Sequence, residues 1–184
     1  MTEEISYGEW GHDFFRTAVT EARLLGAVKQ LAGRPIEFGP LGVGPAKFAQ
    51  VMARGRVGEP TCERIEGDEV TFRILIPAEV EFDLNLQLQK QHFDVDLVIP
   101  IIATAKAQSG LKIFIETVAP GPRDLEVDVR ARGLRATFVS VAADVEGELR
   151  KFVAKFVTRE IEKPEIAAAR TIDVGARIDG AWRS

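Results

Sequence analysis

The sequence VTFRILIPAEVEFDLNLQL, residues Val70–Leu88, has an apolar residue at every even-numbered position. Its odd-numbered positions are polar, apart from Leu75 and Pro77. Alternation with a period of two predicts a β-strand that buries one face. Because a typical strand has only about five or six residues, a strand of this length must bend or wrap around another part of the chain.

A second alternating run follows with the opposite parity. Its apolar positions are Phe93, Val95, Leu97, Ile99, Ile101, Ala103, Ala105 and Ala107. A hairpin with its turn at Gln89–His92 places both apolar sets on one face of a sheet. The predicted partners are Leu88 and Phe93, Leu86 and Val95, Leu84 and Leu97, and Phe82 and Ile99. The alanines narrow one end of this face, and a taper of that kind favours a slot.

Two further strands are predicted to extend the same face. The loop Gln108–Gly110 has glycine at the position that needs a positive φ. It places Leu111, Ile113 and Ile115 opposite Ala107, Ala105 and Ala103, respectively. Alternation over Leu125–Ala131 predicts a fourth, antiparallel strand, so the sheet is expected to be a meander.

Apolar residues at three- and four-residue spacing predict two amphipathic helices. The first spans residues 13–32 and ends before Gly33. The second spans residues 144–163, and Pro164 stops it because proline cannot continue a helix. Both helices have one apolar face that must be buried, and we expect the sheet to bury it.

The rest of the chain connects these elements. Residues 33–69 are rich in glycine and proline and are predicted to be irregular, with a short helix at 46–53. The antiparallel sheet is assigned to residues 70–141, and a closing strand is predicted at 171–179. The sequence therefore predicts one α+β domain over residues 1–184: a long, strongly curved antiparallel β-meander wrapped around two amphipathic helices.

Composition limits the class of protein. The 184 residues are 46% hydrophobic and 28% charged, with a formal net charge of −4, which is typical of a globular protein. Negative charge argues against nucleic acid as a partner, because phosphate binding needs a concentrated basic surface. We recognise neither a secretory signal nor an apolar run of membrane-spanning length. A single cysteine, Cys62, suits a reducing compartment, so we expect a cytoplasmic protein.

Few side chains suggest chemistry. His12 and His92 are the only histidines, and neither has a ligand neighbour at metal-binding spacing, so no metal or other cofactor is predicted. No nucleophile motif such as GxSxG occurs, and Cys62 is interpreted as an inert thiol. Carboxylates share the polar face of the long strands: Glu79, Glu81, Asp83, Asp94 and Asp96. Because that face is solvated, we interpret them as surface charges.

The second helix has a cationic stripe, formed by Lys151, Lys155, Arg159 and Lys163 at intervals of four residues. A basic amphipathic helix can make transient contact with an anionic membrane. Glutamates on the same helix dilute this charge, so a solvated helix face is the preferred interpretation and membrane contact the alternative.

The apolar face of the sheet suggests a function. Strands that reach about 60 Å present more apolar surface than two helices of about 30 Å each are expected to cover. An uncovered strip would form an interaction surface or a ligand groove. If the helices cover the face completely, it is simply a large core.

The pattern from Val70 to Ile178 resembles the tubular lipid-binding (TULIP) superfamily, which includes bactericidal permeability-increasing proteins and synaptotagmin-like mitochondrial lipid-binding (SMP) domains. The resemblance lies in the element order: a leading amphipathic helix, very long bent strands, a long helix and a last strand. It implies that one or two acyl chains lie between sheet and helix, without catalysis. It assigns no individual binding residue.

Three hypotheses follow. The first is non-enzymatic binding of a lipid or other hydrophobic ligand by a carrier or sensor, with the groove lined by Phe72, Phe82, Leu84, Leu86, Leu97, Ile99, Phe152 and Phe156. The second is an assembly protein that buries the apolar face in an oligomer such as a homodimer. The third is an acid/base enzyme on a small hydrophobic substrate, using His12, His92 or the group Glu81, Asp83, Asp94 and Asp96.

Overall fold

The computed structural model describes residues 4–43, 49–86, 89–132 and 139–182. Its helices are α1 (Tyr7–Ala18), α2 (Glu21–Val28), α3 (Val139–Ile161), α4 (Pro164–Ala169) and α5 (Val174–Ala181), with a 3₁₀ turn at Lys29–Leu31. Its strands are β1 (Pro35–Val43), β2 (Ala49–Val57), β3 (Thr61–Ile65), β4 (Thr71–Leu86), β5 (Gln89–Gln108), β6 (Lys112–Val118), β7 (Glu126–Ala131) and β8 (Thr171–Asp173).

The eight described strands form one antiparallel sheet around the long central pair β4 and β5. At one end β4 pairs with β2 and β5 pairs with β7. At the other end β4 pairs with β3 and β5 pairs with β6, which in turn pairs with β8. Since each long strand changes its outer neighbour part-way along, the sheet curls strongly. The predicted α+β class with a strongly curved antiparallel sheet is confirmed.

One face of the sheet carries two buried clusters. Phe82, Val80, Phe93 and Val95 lie in the cluster packed against the α3 residues Leu149, Val153 and Val157. Phe72, Ile74, Ala103 and Ile113 lie in the other, against Val19 and side chains of α1 and α2. Ile99 and Ile101 pack against both clusters. The predicted parity of the buried residues is therefore confirmed, and each half of the face has its own helical cover.

The predicted register of the central hairpin is wrong. Phe82 pairs with Phe93, not Ile99, and Leu84 pairs with Gln91, not Leu97. The pairing extends to Leu86 with Gln89, so Gln89–His92 belong to β5 rather than to the predicted turn. The two registers place the same side chains on the same face, so the alternation alone could not distinguish them.

The neighbours of β5 also differ from the prediction. The fourth strand, β7, pairs with β5 rather than with β6, so it lies beside β6 along one edge of β5. The β5–β6 loop begins one residue later than predicted, because Gln108 pairs with Lys112 and Ile113 lies opposite Ala107. Gly110 does have the predicted positive φ, at 75°, and Leu111 follows with a φ of 54°.

The first predicted helix, residues 13–32, is two helices, and the first of them begins earlier, at Tyr7. Ser6 caps α1 through a reciprocal pair of hydrogen bonds with Glu9, at 2.9 and 3.2 Å. Val19 is extended and ends α1, and the Thr20 side chain accepts a hydrogen bond from the Arg23 amide to begin α2. Two β-branched residues and a new cap outweigh the continuous apolar spacing.

The predicted irregular segment 33–69 contains strands β1, β2 and β3, so that assignment is wrong. Of the predicted short helix at 46–53, residues 49–53 belong to β2 and residues 46–48 lie outside the described part of the chain. Glycines and prolines interrupt the alternation here, and pairing with β4 supplies the order that local sequence lacks.

The carboxyl-terminal helices and strand also have other bounds than predicted. Helix α3 spans Val139–Ile161 rather than 144–163, so residues 139–141 of the predicted sheet belong to this helix. Pro164 begins the short helix α4, which is a favoured position for proline. The predicted strand 171–179 ends at Asp173, whose side chain accepts a 2.8 Å hydrogen bond from the Ala176 amide and caps α5.

Candidate functional site

The predicted lining residues lie in the core. Phe72 belongs to the α1 half, whereas Phe82, Leu84 and Leu97 belong to the α3 half, and each of the four is at most 5% exposed. Ile99 lies between the halves, and the side chain of Leu86 is outside the described part. Phe82, Leu84 and Leu97 lie in the cluster that packs against α3, so a ligand among these three would have to displace α3. Their role in binding stays a prediction.

The two predicted lining residues of α3 form an aromatic pair at its side. The rings of Phe152 and Phe156 stack with centroids 6.4 Å apart. Phe152 is partly buried against the core, whereas Phe156 is 52% exposed. The pair therefore lies at the boundary between the core and solvent.

A small cavity open to solvent lies beneath α1. Its volume is about 230 Å³. The walls come from α1, from the segment that leads into β4 and from the end of β5: Gly11, His12 and Phe15; Asp68, Glu69 and Val70; Ala105, Lys106 and Ala107. We call this cavity the α1 slot. Five lining residues are apolar or glycine, and the other four, His12, Asp68, Glu69 and Lys106, are polar or charged and are called the rim.

The slot exists because β5 is longer than its partner at this end. Thr71, the first residue of β4, pairs with Thr104, and β5 continues beyond it to Gln108. The last backbone link is the 2.9 Å hydrogen bond that the Ala105 amide donates to the Val70 carbonyl. Beyond that point α1 and the end of β5 line the same cavity, and a Cβ at Gly11 would meet nothing within 4 Å.

Helix α1 is attached mainly at its carboxyl end. None of its residues is fully buried, whereas Val19, directly after it, is 3% exposed. The Arg23 guanidinium donates hydrogen bonds to the carbonyls of Thr17 and Ala18, at 3.1 and 2.6 Å. Tyr7, at the other end, is 96% exposed. The helix therefore has one fixed end and one free end.

The slot is lined on the α1 side by a chain of aromatic contacts. Trp10 stacks on Phe14 with centroids 5.4 Å apart, and Phe14 meets Phe15 edge to face at 5.8 Å. Phe15 forms part of the slot wall. Phe15 is therefore connected to Trp10 through Phe14, and the fluorescence of Trp10 can report a change in the slot.

A larger groove of about 590 Å³ lies on the opposite, polar face of the sheet. Its sides are formed by four arginines: Arg54 and Arg56 of β2, Arg130 of β7, and Arg132, which follows β7. Its floor is formed by carboxylates of β4 and β5: Glu79, Glu81, Asp94 and Asp96. The Arg132 guanidinium lies 2.8 Å from Glu81 and 2.5 Å from Asp94. Arg130 pairs with Asp96. These ion pairs link β4 and β5 with Arg130 of β7 and with Arg132, which follows it.

Asp94 in the groove is poorly suited to act as a general acid. Hydrogen bonds from Arg132 lower the pKa of Asp94, so this carboxyl is ionised at neutral pH. His92 pairs through Nδ1 with Asp83, and both side chains are more than half exposed. His12 lies apart from this group, at the rim of the α1 slot. The structure thus divides the residues of the enzyme hypothesis between two faces.

The remaining candidates have simple surroundings. Cys62 is partly buried, and desolvation, with smaller contributions from Glu21 and Glu63, raises the pKa of its thiol. Within the described residues, no three His, Cys, Asp or Glu side chains are placed to hold a metal ion.

The cationic stripe of α3 is exposed. Lys151 pairs with Glu148 and Lys163 with Glu160, at 2.8 and 2.7 Å, while Lys155 and Arg159 also face solvent. Membrane contact through these four residues stays a prediction. Among the described helices, none combines the length and the apolarity needed to cross a bilayer.

Neither a protein-family model nor a curated protein matches this sequence. Sequence reasoning identified the narrow end of the face at Ala103, Ala105 and Ala107, but it did not include Gly11 or Phe15. The available signal was a glycine within the apolar stripe of α1, where a larger residue would be expected to fill the core.

Proposed function

We propose that the protein binds a lipid or another hydrophobic ligand, without catalysis, in the groove between the sheet and its helices. We place the entry of the ligand at the α1 slot and propose a cytoplasmic carrier or sensor. The observation that carries this proposal is an apolar cavity beneath a helix that fully buries none of its own residues. Small-molecule sites usually combine apolar lining residues with a few polar groups, and the slot has this composition on a smaller scale.

The slot volume limits the part of the ligand that fits. A cavity of about 150 Å³ can hold a benzene ring, and sites for drug-sized ligands start at about 300 Å³. At about 230 Å³ the slot accepts the end of one alkyl chain or a single ring. The rest of a longer ligand needs more space, which α1 can provide by moving.

We propose that α1 acts as a lid. The extended backbone at Val19 and Thr20 separates it from α2, and Val19 remains anchored in the core. Rotation about this joint lifts Phe14 and Phe15 from the sheet and opens a path to Phe72, one of the lining residues predicted from the sequence. The proposal agrees with the resemblance to the TULIP superfamily, in which acyl chains lie between sheet and helix.

Calorimetric titration with 1-octanol tests the proposal. We expect saturable binding to the wild-type protein and at least about tenfold weaker binding to Gly11→Leu, because the new side chain occupies the slot. This variant should fold, since the position is open and leucine is favoured over glycine in a helix by about 0.8 kcal/mol. Gly26→Leu in α2 is the matched control, because a Cβ there also meets nothing within 4 Å and lies outside the slot.

Equal octanol binding by wild type and Gly11→Leu would contradict the site, and no binding by either would contradict the function. Native mass spectrometry of freshly purified protein, followed by organic extraction, provides an independent result. Co-purified lipid in a monomer supports the carrier. A ligand-free, obligate dimer would instead support the assembly hypothesis.

A further inference from the structure

The rim of the α1 slot has more negative than positive charge. Asp68, Glu69 and Lys106 are its charged residues, and His12 completes the polar part of the lining. With His12 neutral, the rim has one net negative charge. The head group of a ligand whose chain enters the slot must lie beside these side chains.

The one lysine of the rim is already paired. Lys106 Nζ donates a hydrogen bond to Glu69 Oε1, and the carboxylate of Glu116 on β6 adds to the negative potential around it. An anionic head group would have to compete with Glu69 for this ammonium group. Asp68 has no ion pair within the described residues and is exposed at the rim. The available charge at the slot is therefore a carboxylate.

We infer that the slot selects amphiphiles with a cationic head group, such as a primary amine on one alkyl chain, over amphiphiles with a carboxylate head group. This inference rests on the proposed function, because it assigns the ligand class of the same site. The chain lies on Phe15, Val70 and Ala105, and the ammonium group lies beside Asp68 and Glu69.

The expected selectivity is moderate because the rim is exposed to solvent. Exposed ion pairs contribute only a fraction of a kcal/mol to about 1 kcal/mol, and exchanging an ammonium for a carboxylate turns attraction into repulsion. We therefore expect octylamine to bind about tenfold more tightly than octanoate at low ionic strength. Salt should reduce this ratio, since it screens exposed charges.

The test compares octylamine, 1-octanol and octanoate by calorimetry at neutral pH with the full chain. Wild type should bind them in that order of decreasing affinity. The double variant Asp68→Asn/Glu69→Gln releases Lys106 and makes the rim positive, so octanoate should become the tightest of the three. Glu66→Gln is the matched control, since Glu66 lies in the same turn but does not line the slot.

The outcomes separate the two proposals. Octanoate binding as tightly as octylamine in wild type, or an unchanged order in the double variant, overturns the charge selectivity and leaves hydrophobic binding intact. Absence of binding for all three ligands overturns the proposed function, and this inference with it. The predicted order in wild type, with reversal in the double variant and no reversal in Glu66→Gln, supports both.

Discussion

Pro77 on β4 and Pro100 on β5 lie on paired strands, two register positions apart, because Pro77 pairs with Val98 and Pro100 with Leu75. On β4 this interval separates the pairing with β2 from the pairing with β3. On β5 it separates the pairing with β7 from the pairing with β6. Proline has no N–H for a ladder hydrogen bond, so both prolines fit the interval in which the long strands turn from one half of the sheet to the other.

The close approach of β2 to β4 at Gly55 should not tolerate a side chain. A Cβ at this position would overlap the Glu79 carbonyl and lie 2.8 Å from Val80 Cα. We expect Gly55→Ala to reduce the free energy of unfolding by at least about 3 kcal/mol, because backbone has to move. Urea denaturation measures this value. Gly26→Ala should be stabilising by up to about 1 kcal/mol, and a similar effect at both positions would contradict the prediction.

Two phenylalanines of the α3 half should differ greatly in their contribution to stability. Phe93 is 1% exposed and lies in the core cluster, whereas Phe156 is half-exposed at the side of α3. Phe93→Ala should reduce the free energy of unfolding by about 3 to 5 kcal/mol. Phe156→Ala should cost less than about 1.5 kcal/mol, because little apolar surface leaves water at this position. Equal losses would show that Phe156 is packed in solution.

The charge network on the polar face predicts a dependence of stability on pH. Hydrogen bonding from Arg132 lowers the pKa of Asp94 in the folded protein. This contribution is present above the ordinary carboxyl pKa and is lost as the pH falls through the lowered value. Arg132→Gln should therefore be less stable than wild type at neutral pH, and the difference should shrink in acid as Asp94 is protonated. Denaturation at a series of pH values measures it, and a constant difference would argue against the pairing.

The thiol of Cys62 should react slowly. Desolvation is the main cause that raises its pKa, and the carboxylates of Glu21 and Glu63 act in the same direction. Since the thiolate is the nucleophile, the rate of alkylation by iodoacetamide should have its pH midpoint above that of the urea-unfolded protein. Glu63→Gln should move the midpoint down. A midpoint at or below that of the unfolded chain would instead indicate an activated cysteine.

The buried face could be predicted from Val70–Leu88 because side-chain parity is a local property of a strand. The pairing of the two strands could not be predicted in this way. Shifting the hairpin by an even number of residues keeps Phe82 and Phe93 on the same face, so the hydrophobic pattern does not change. Local chemistry also misled at Thr171–Asp173. There the alternation continues for several residues, but the Asp173 side chain caps a helix instead.

The α1 slot illustrates why a site is harder to predict than a fold. Its walls depend on β4 beginning at Thr71 while β5 continues past Thr104, which is a property of the register. It also depends on the break between α1 and α2, since a continuous helix would position Gly11 and Phe15 differently. The register is not encoded by neighbouring residues. The break is encoded locally by Val19 and Thr20, but the continuous apolar spacing across it obscures this signal.

The division of the core between two helical covers has a consequence for cooperativity. Helix α1 has no fully buried side chain, so few contacts hold its backbone amides in place. Helix α3, in contrast, buries Leu149, Val153 and Val157 in its cluster. Regions with few buried contacts open with a smaller free energy than the global one. Deuterium should therefore enter α1 through local opening, long before it enters α3 or the centre of β4 and β5, and a bound ligand should slow that early phase alone.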